Sequence, residues 1–393
     1  MPYNFDEITI RRGSGSVKWD ATPEEVIPLW VADMDFTVAP AIQRAIQTRA
    51  NHGIFGYAQV PPAYYEAIVR WFQSRHGWTI NPEHILYTTG VIPAIAAALR
   101  AVTLPGEKVL IQSPVYNCFY YSIRNAGCEA LDSPLVLGDD RRYTINFADL
   151  EAKASDPRCT AMLLCNPHNP AGRVWTPEEL QRIGEICHKH GVRVLCDEIH
   201  CELIMPGFKF TPFATLQEPW VKDAVVMNSP SKNFNIAGLQ VANLIVPNDT
   251  LRRHIDRAIN LHETCDLNPF GIDALIAAYN ESGDWLDELN QYLWQNFLTL
   301  QEFVTKELPF CPLTPLEGTY LAWLDVNRLD IPTTKIEATL KETEHVWVNS
   351  GTLYGQEGFL RINLATQRSR LLEGLRRMAT GLMRLSEDNP PAY

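Results

Sequence analysis

Between residues 85 and 247 short, nearly uninterrupted apolar runs alternate with segments of helical spacing. A sheet covered by helices on both faces accommodates that order, because its strands are buried on each side and need no polar face. The runs fall at residues 85–88, 108–112, 160–165, 192–196, 224–228 and 240–246, and their spacing predicts mostly parallel strands. Helices are expected at 92–102, 116–125 and 177–190, the last opened by Thr176 as N-cap. Beyond Leu251 the spacing changes. A long helical pattern over 285–306 precedes strand patterns at 319–325, 345–348 and 359–363, then an amphipathic helix over 369–385 and a polar, frayed tail at 386–393. These shifts predict three parts: an N-terminal segment, 1–45, packed with a small domain; a large α/β domain, 46–275; and that smaller α+β domain, 276–393.

Composition removes several classes of function. The net charge of −12 opposes binding to a phosphate backbone, so nucleic acid is not an expected ligand. No stretch reaches about 18 uninterrupted apolar residues, and Met1 to Arg12 lacks the apolar core of a signal peptide, so no membrane is expected. The nine cysteines are odd in number and scattered through apolar runs, a usage that suits a reducing cytoplasm. Cys196, His200 and Cys201 raise the question of a metal. Without a paired Cys-x-x-Cys module, strand packing explains the cysteines, and no metal is expected. Gly13-Ser14-Gly15-Ser16 neither follows a strand nor opens a helix, and no Gly-x-x-x-x-Gly-Lys-Ser/Thr loop is present, which argues against dinucleotide and nucleotide-hydrolase sites.

Ligands of an open parallel sheet collect where its strands end. Gly90-Val91-Ile92 follows the first run and opens a helix whose free amides suit a phosphate. Tyr116 follows the second, an aromatic able to stack on a planar heterocycle. Asn166-Pro167-His168-Asn169-Pro170 follows the third, a rigid turn that holds amide side chains outward. Asp197 ends the fourth run, with Glu198, Ile199 and His200 behind it. Ser229-Pro230-Ser231-Lys232 follows the fifth, and a lysine at a strand end is either solvated or chemically used. Each signal alone is ordinary. Together they provide an amine, an anion cradle, a ring to stack on, an amide and a carboxylate, which is what a pyridoxal cofactor requires.

In this order the motifs resemble those of the fold-type I, aspartate-aminotransferase-like enzymes that use pyridoxal 5'-phosphate (PLP), over essentially the whole chain. The resemblance implies an α/β PLP-dependent transferase fold, a large domain with a mostly parallel sheet and a smaller α+β domain. It implies Lys232 as the catalytic amine that condenses with the cofactor aldehyde. Asp197 would face the pyridine nitrogen, Asn169 the phenolic oxygen and Tyr116 the ring, with His200 nearby. Gly90, Val91, Ile92, Ser229 and Ser231 would hold the phosphate, helped by Tyr57 from the other subunit of a homodimer. Arg361, with Asn169 and Trp30, would bind the substrate, the arginine gripping its α-carboxylate.

Two departures narrow the subgroup. Aminotransferases of this family carry a tyrosine three residues after the aspartate, where this chain has His200, and an arginine eight residues after the lysine, where it has Gln240. Asp197-Glu198-Ile199-His200, the run from Ser231 to Gln240, Trp30 to Phe36 and Thr319 to Leu324 are instead similar to the cystathionine β-lyase, or C–S lyase, subgroup. That likeness implies α,β-elimination of L-cystathionine or related S-substituted L-cysteines. A class I/II aminotransferase, and a regulatory binding protein with a protein partner on the same scaffold, stay open as alternatives.

Overall fold

The computed structural model describes residues 3–261 and 264–388. Seven strands form the central sheet: β1 (Ile85–Thr88), β2 (Lys108–Ile111), β3 (Glu129–Asp132), β4 (Cys159–Cys165), β5 (Arg193–Asp197), β6 (Val225–Asn228) and β7 (Ala242–Ile245), in the order β1-β7-β6-β5-β4-β2-β3. All run parallel except β7, which is antiparallel to both β1 and β6. The C-terminal ends of the other six therefore share one edge. The reversal of β7 and the edge strand β3 are additions to the sequence reading. β3, Glu-Ala-Leu-Asp, is half exposed and carries no apolar run to betray it.

Alternate residues of each strand face opposite layers. Val109, Ile111, Leu163, Leu195, Met227 and Leu244 pack under helices α1 (Val91–Val102), α2 (Asn117–Asn125) and Asp249–Asn260. Leu110, Met162, Leu164, Val194 and Val226 meet α3 (Pro177–Lys189) on the other face. The expected cap of α3 is present as a reciprocal pair: the Glu179 amide donates to Thr176 Oγ1 at 3.2 Å, and the Thr176 amide donates to Glu179 Oε2 at 2.9 Å. Midway along α3, Gly184 lies so close to Trp220 that a Cβ would sit 1.9 Å from the indole. Gly184→Ala should therefore destabilise the protein by roughly 1–3 kcal/mol through overpacking, read as a lower urea midpoint.

The C-terminal part holds a three-stranded antiparallel sheet, β8 (Leu321–Asp325), β9 (Asn349–Ser350) and β10 (Phe359–Asn363), in the order β8-β10-β9. The strand expected at 345–348 shrinks to Val346–Trp347, which pairs in parallel with Ile27–Pro28. Further backbone bonds continue this seam: the Asn363 amide donates to the Leu29 carbonyl and the Asp35 amide to the Ala365 carbonyl, each at 2.9 Å. The last helix spans Arg368–Asp388, so residues 386–388 are helical rather than frayed, because the helix simply continues; 389–393 lie outside the described residues. Among the described residues no helix is long and apolar enough to cross a membrane.

Candidate active site

The shared edge of the sheet, the segment 30–32 and the small sheet enclose a cavity of about 530 Å³. Gly90 is extended, and α1 begins at Val91 without a side-chain cap, leaving the first-turn amides free where Gly90, Val91 and Ile92 line the cavity. Tyr116 opens α2 at the same edge; burial pushes its phenol pKa up. Asn169 reaches the cavity from the turn after β4. His168 in that turn lies 2.8 Å from the Pro114 carbonyl, tying together the two loops that carry Tyr116 and Asn169.

Asp197 ends β5 and is buried against the cavity. Desolvation raises its carboxyl to about 7, although the Ile199 amide, 3.1 Å away, and the charge of Lys232 both favour ionisation. Lys232 sits in the one-turn helix Pro230–Asn233, and its Nζ donates to the Ala32 carbonyl at 2.6 Å. Burial, and after it the charge of Arg361, push this amine below its ordinary value, while Asp33 and Asp197 pull the other way.

Arg361 projects from β10. Its Nη2 donates to the Trp30 carbonyl at 2.8 Å and its Nη1 to Asn169 Oδ1 at 3.3 Å, with the guanidinium 4.6 Å over the Tyr354 ring. Its Nε is buried and has no hydrogen-bond partner among the described residues. His200 is also buried, with Nδ1 unpaired among the described residues; burial, then Lys232 and Arg361, drive its pKa down to about 3, so the imidazole is neutral. Trp30 forms a wall, stacked on Trp347 at 4.1 Å.

Thus eleven of the thirteen expected residues share one cavity: Trp30, Gly90, Val91, Ile92, Tyr116, Asn169, Asp197, His200, Ser231, Lys232 and Arg361. Two do not line it. Ser229 is buried behind the wall, where it caps the helix of Lys232: its hydroxyl donates to the Val241 carbonyl at 2.6 Å and accepts from the Ser231 amide at 3.0 Å. In this structure its hydroxyl serves as the cap of the helix that carries Lys232. Tyr57 is fully exposed, in a run with exposed Ile54 and Phe55.

Several groups escaped the sequence reading. Tyr320 donates to the same Ala32 carbonyl at 3.0 Å, and Asn349 donates to the Trp30 carbonyl at 3.1 Å. Cys118, Leu353 and Tyr354 also line the cavity. Tyr320 stood inside the run Thr319 to Leu324, but nothing marked it as facing a lysine 88 positions earlier. The carbonyls of Trp30 and Ala32 carry no sequence signal at all.

Residues 24–378 match the family model for aminotransferase class I and II. The chain is 41% identical over 386 residues to cystathionine β-lyase PatB of Bacillus subtilis (strain 168), covering 96% of this chain and 100% of PatB. It is 32% identical to protein MalY of Escherichia coli (strain K12), over 95% of this chain and 97% of MalY. Among solved structures it is similar to cystalysin from Treponema denticola, which contains a pyridoxal 5'-phosphate cofactor, with a TM-score of 0.94, 34% identity, and 98% and 100% of the two chains covered. The PLP-bound C–S lyase from Staphylococcus hominis gives a TM-score of 0.91 at 33% identity, over 97% and 99%. The fold is that of the fold-type I enzymes, and the chain belongs to the aminotransferase class I and II family.

Proposed function

We propose that this protein is a PLP-dependent carbon–sulfur β-lyase that cleaves L-cystathionine or related S-substituted L-cysteines to pyruvate, ammonia and a thiol. The observation that carries the reading is the meeting, in one cavity, of a carbonyl-anchored lysine of lowered basicity, a buried carboxyl and an arginine with a free Nε. The names of relatives at 41% identity and of neighbours at 0.91–0.94 TM-score support the lyase reaction.

The donor set fits PLP. A carboxyl raised to about 7 by burial gains its charge most readily beside a cation such as a pyridinium, and the uncapped start of α1 suits a phosphate. Asp197 would hold the ring nitrogen, Tyr116 the ring face, Asn169 the phenolic oxygen, and Gly90, Val91, Ile92 and Ser231 the phosphate. Bound there, PLP supplies an electron sink for charge that develops at the substrate Cα. Arg361 binds the α-carboxylate and fixes the direction of the Cα–H bond. The Lys232 amine, whose proton affinity the enclosure lowers, takes that proton as general base. A sulfur substituent at Cβ then leaves as thiolate, and the remaining unsaturated fragment hydrolyses to pyruvate and ammonia. His200, uncharged, offers the site a polar edge without a competing positive charge.

We read the active form as a cytoplasmic homodimer in which Tyr57 reaches the partner's phosphate site; the exposure of Ile54, Phe55 and Tyr57 on one run supports this. The segment 1–45, the sheet-bearing part 46–275 and the remainder 276–393 serve as its working domains, supported by the seam that joins Ile27–Pro28 to Val346–Trp347. The test is pyruvate formation from L-cystathionine by the PLP-loaded protein with no keto acid added. Pyruvate released in step with thiol supports the lyase; an absolute keto-acid requirement would make the protein an aminotransferase.

A further inference from the structure

The N-terminal segment reaches the site through its backbone. Two carbonyls, two residues apart, accept hydrogen bonds from the groups assigned above: Trp30 from Arg361 Nη2 at 2.8 Å, and Ala32 from Lys232 Nζ at 2.6 Å. A carbonyl cannot be aimed by its own rotamer; it lies where its segment lies. The position of segment 30–36 therefore sets the resting geometry of both the base and the carboxylate clamp.

Two cations from outside the segment hold its two carboxylates. Arg11 bridges Asp33 at 2.8 Å and Asp35 at 2.9 Å, while Lys18 lies 2.9 Å from Asp35 and 3.7 Å from Asp33. The Trp19 indole also donates to Asp35, at 2.8 Å. The side chains of Lys18 and Asp35 are 0% and 1% exposed. Burial opposes the Asp35 charge, yet Lys18, Trp19 and Arg11 together hold its carboxyl below the ordinary range. Burying an ammonium completely is a poor way to gain stability, since a well-packed apolar pair commonly does as well or better. What an ion cluster adds is direction: Arg11 and Lys18 each contact both Asp33 and Asp35, which ties the segment to residues 11 and 18 at two points.

We infer that Arg11, Lys18, Asp33 and Asp35 form a positioning cluster for the reaction, fixing the Trp30 and Ala32 carbonyls and through them Arg361 and the Lys232 amine. The inference rests on the roles proposed above for those two residues. None of the four is a catalytic residue, and their loss acts on turnover and on substrate binding together.

Asp35→Asn in the PLP-loaded protein keeps the side-chain shape and removes the shared charge partner. We expect kcat to fall by about tenfold and KM for the thioether amino acid to rise by roughly threefold or more, because small misplacements at a reacting centre cost rates of this order. A second readout needs no substrate: the pH titration of the visible band of the Lys232-bound cofactor. Its midpoint responds to the charges around Lys232, chiefly Arg361, Asp33 and Asp197, and should move down by about half a unit or more as Asp33, released from the cluster, withdraws from the lysine. Lys18→Met/Asp35→Leu removes one charge of each sign and replaces the buried pair by an apolar one, so it tests the same point if Asp35→Asn does not fold. The same kinetic loss is expected there. A folded, cofactor-saturated variant of either kind with kcat and KM within about twofold of the parent, and an unmoved band midpoint, would show that the cluster only holds the chain together. Since the band is read without substrate, a parent protein that releases no pyruvate would sink the lyase reading and leave this test standing.

Discussion

Lys232→Ala is expected to lower the elimination rate by at least about 10³-fold, since general-base catalysis alone contributes on the order of 10² to 10⁴ and the covalent anchor is lost with it. The protein should remain folded. Beyond the bond to the Ala32 carbonyl no hydrogen bond among the described residues ties the amine to the framework, and the helix that presents it is capped by Ser229 rather than by the lysine. PLP should still bind noncovalently, because the groups assigned to its phosphate, ring and nitrogen are untouched. Turnover per bound cofactor, measured beside a circular-dichroism melt, separates the outcomes: undiminished turnover in a folded variant would remove Lys232 from the chemistry.

Asp197→Asn should be nearly as damaging, with turnover down by about 10² or more, because an amide offers the ring nitrogen no negative charge with which to keep its proton. The same substitution carries an independent signature in the cofactor-free protein. The native Asp197 carboxyl is raised to about 7 from an ordinary 3.8, so the folded chain binds more protons than the unfolded chain between those values. Its contribution to stability is full below about pH 4 and is lost as pH rises through about 7. Urea midpoints of the cofactor-free protein should accordingly fall across that window, and Asp197→Asn should flatten the fall. An unchanged slope would mean that the carboxyl is not held in a desolvated state.

The parts of the site legible in the sequence were those in which one side chain stands directly after a strand. Buried parallel strands are apolar throughout, so the first polar residues beyond them stand out, and Gly90, Tyr116, Asn169, Asp197 and Lys232 were found that way. β3 and the reversal of β7 were not legible: an edge strand needs no apolar run, and direction within a sheet is decided by what packs on it rather than by local composition. Ser229 illustrates a related ambiguity. A serine just before a short helix reads equally well as an anion ligand or as a helix cap, and the capping bond, the Ser231 amide donating to its oxygen at 3.0 Å, is visible only in the structure. The fixing of Lys232 by Ala32 and Tyr320, and of Arg361 by Trp30, depends on backbone carbonyls brought together across about 200 to 330 positions of chain, which no local pattern encodes.

The decisive measurement is peptide mass spectrometry of the PLP-loaded protein after borohydride trapping. A single pyridoxyl-phosphate adduct on the peptide containing Lys232 is the expected result. An adduct on any other lysine, or none in a protein that retains its cofactor, would contradict the assignment from which the lyase chemistry and the positioning role both follow.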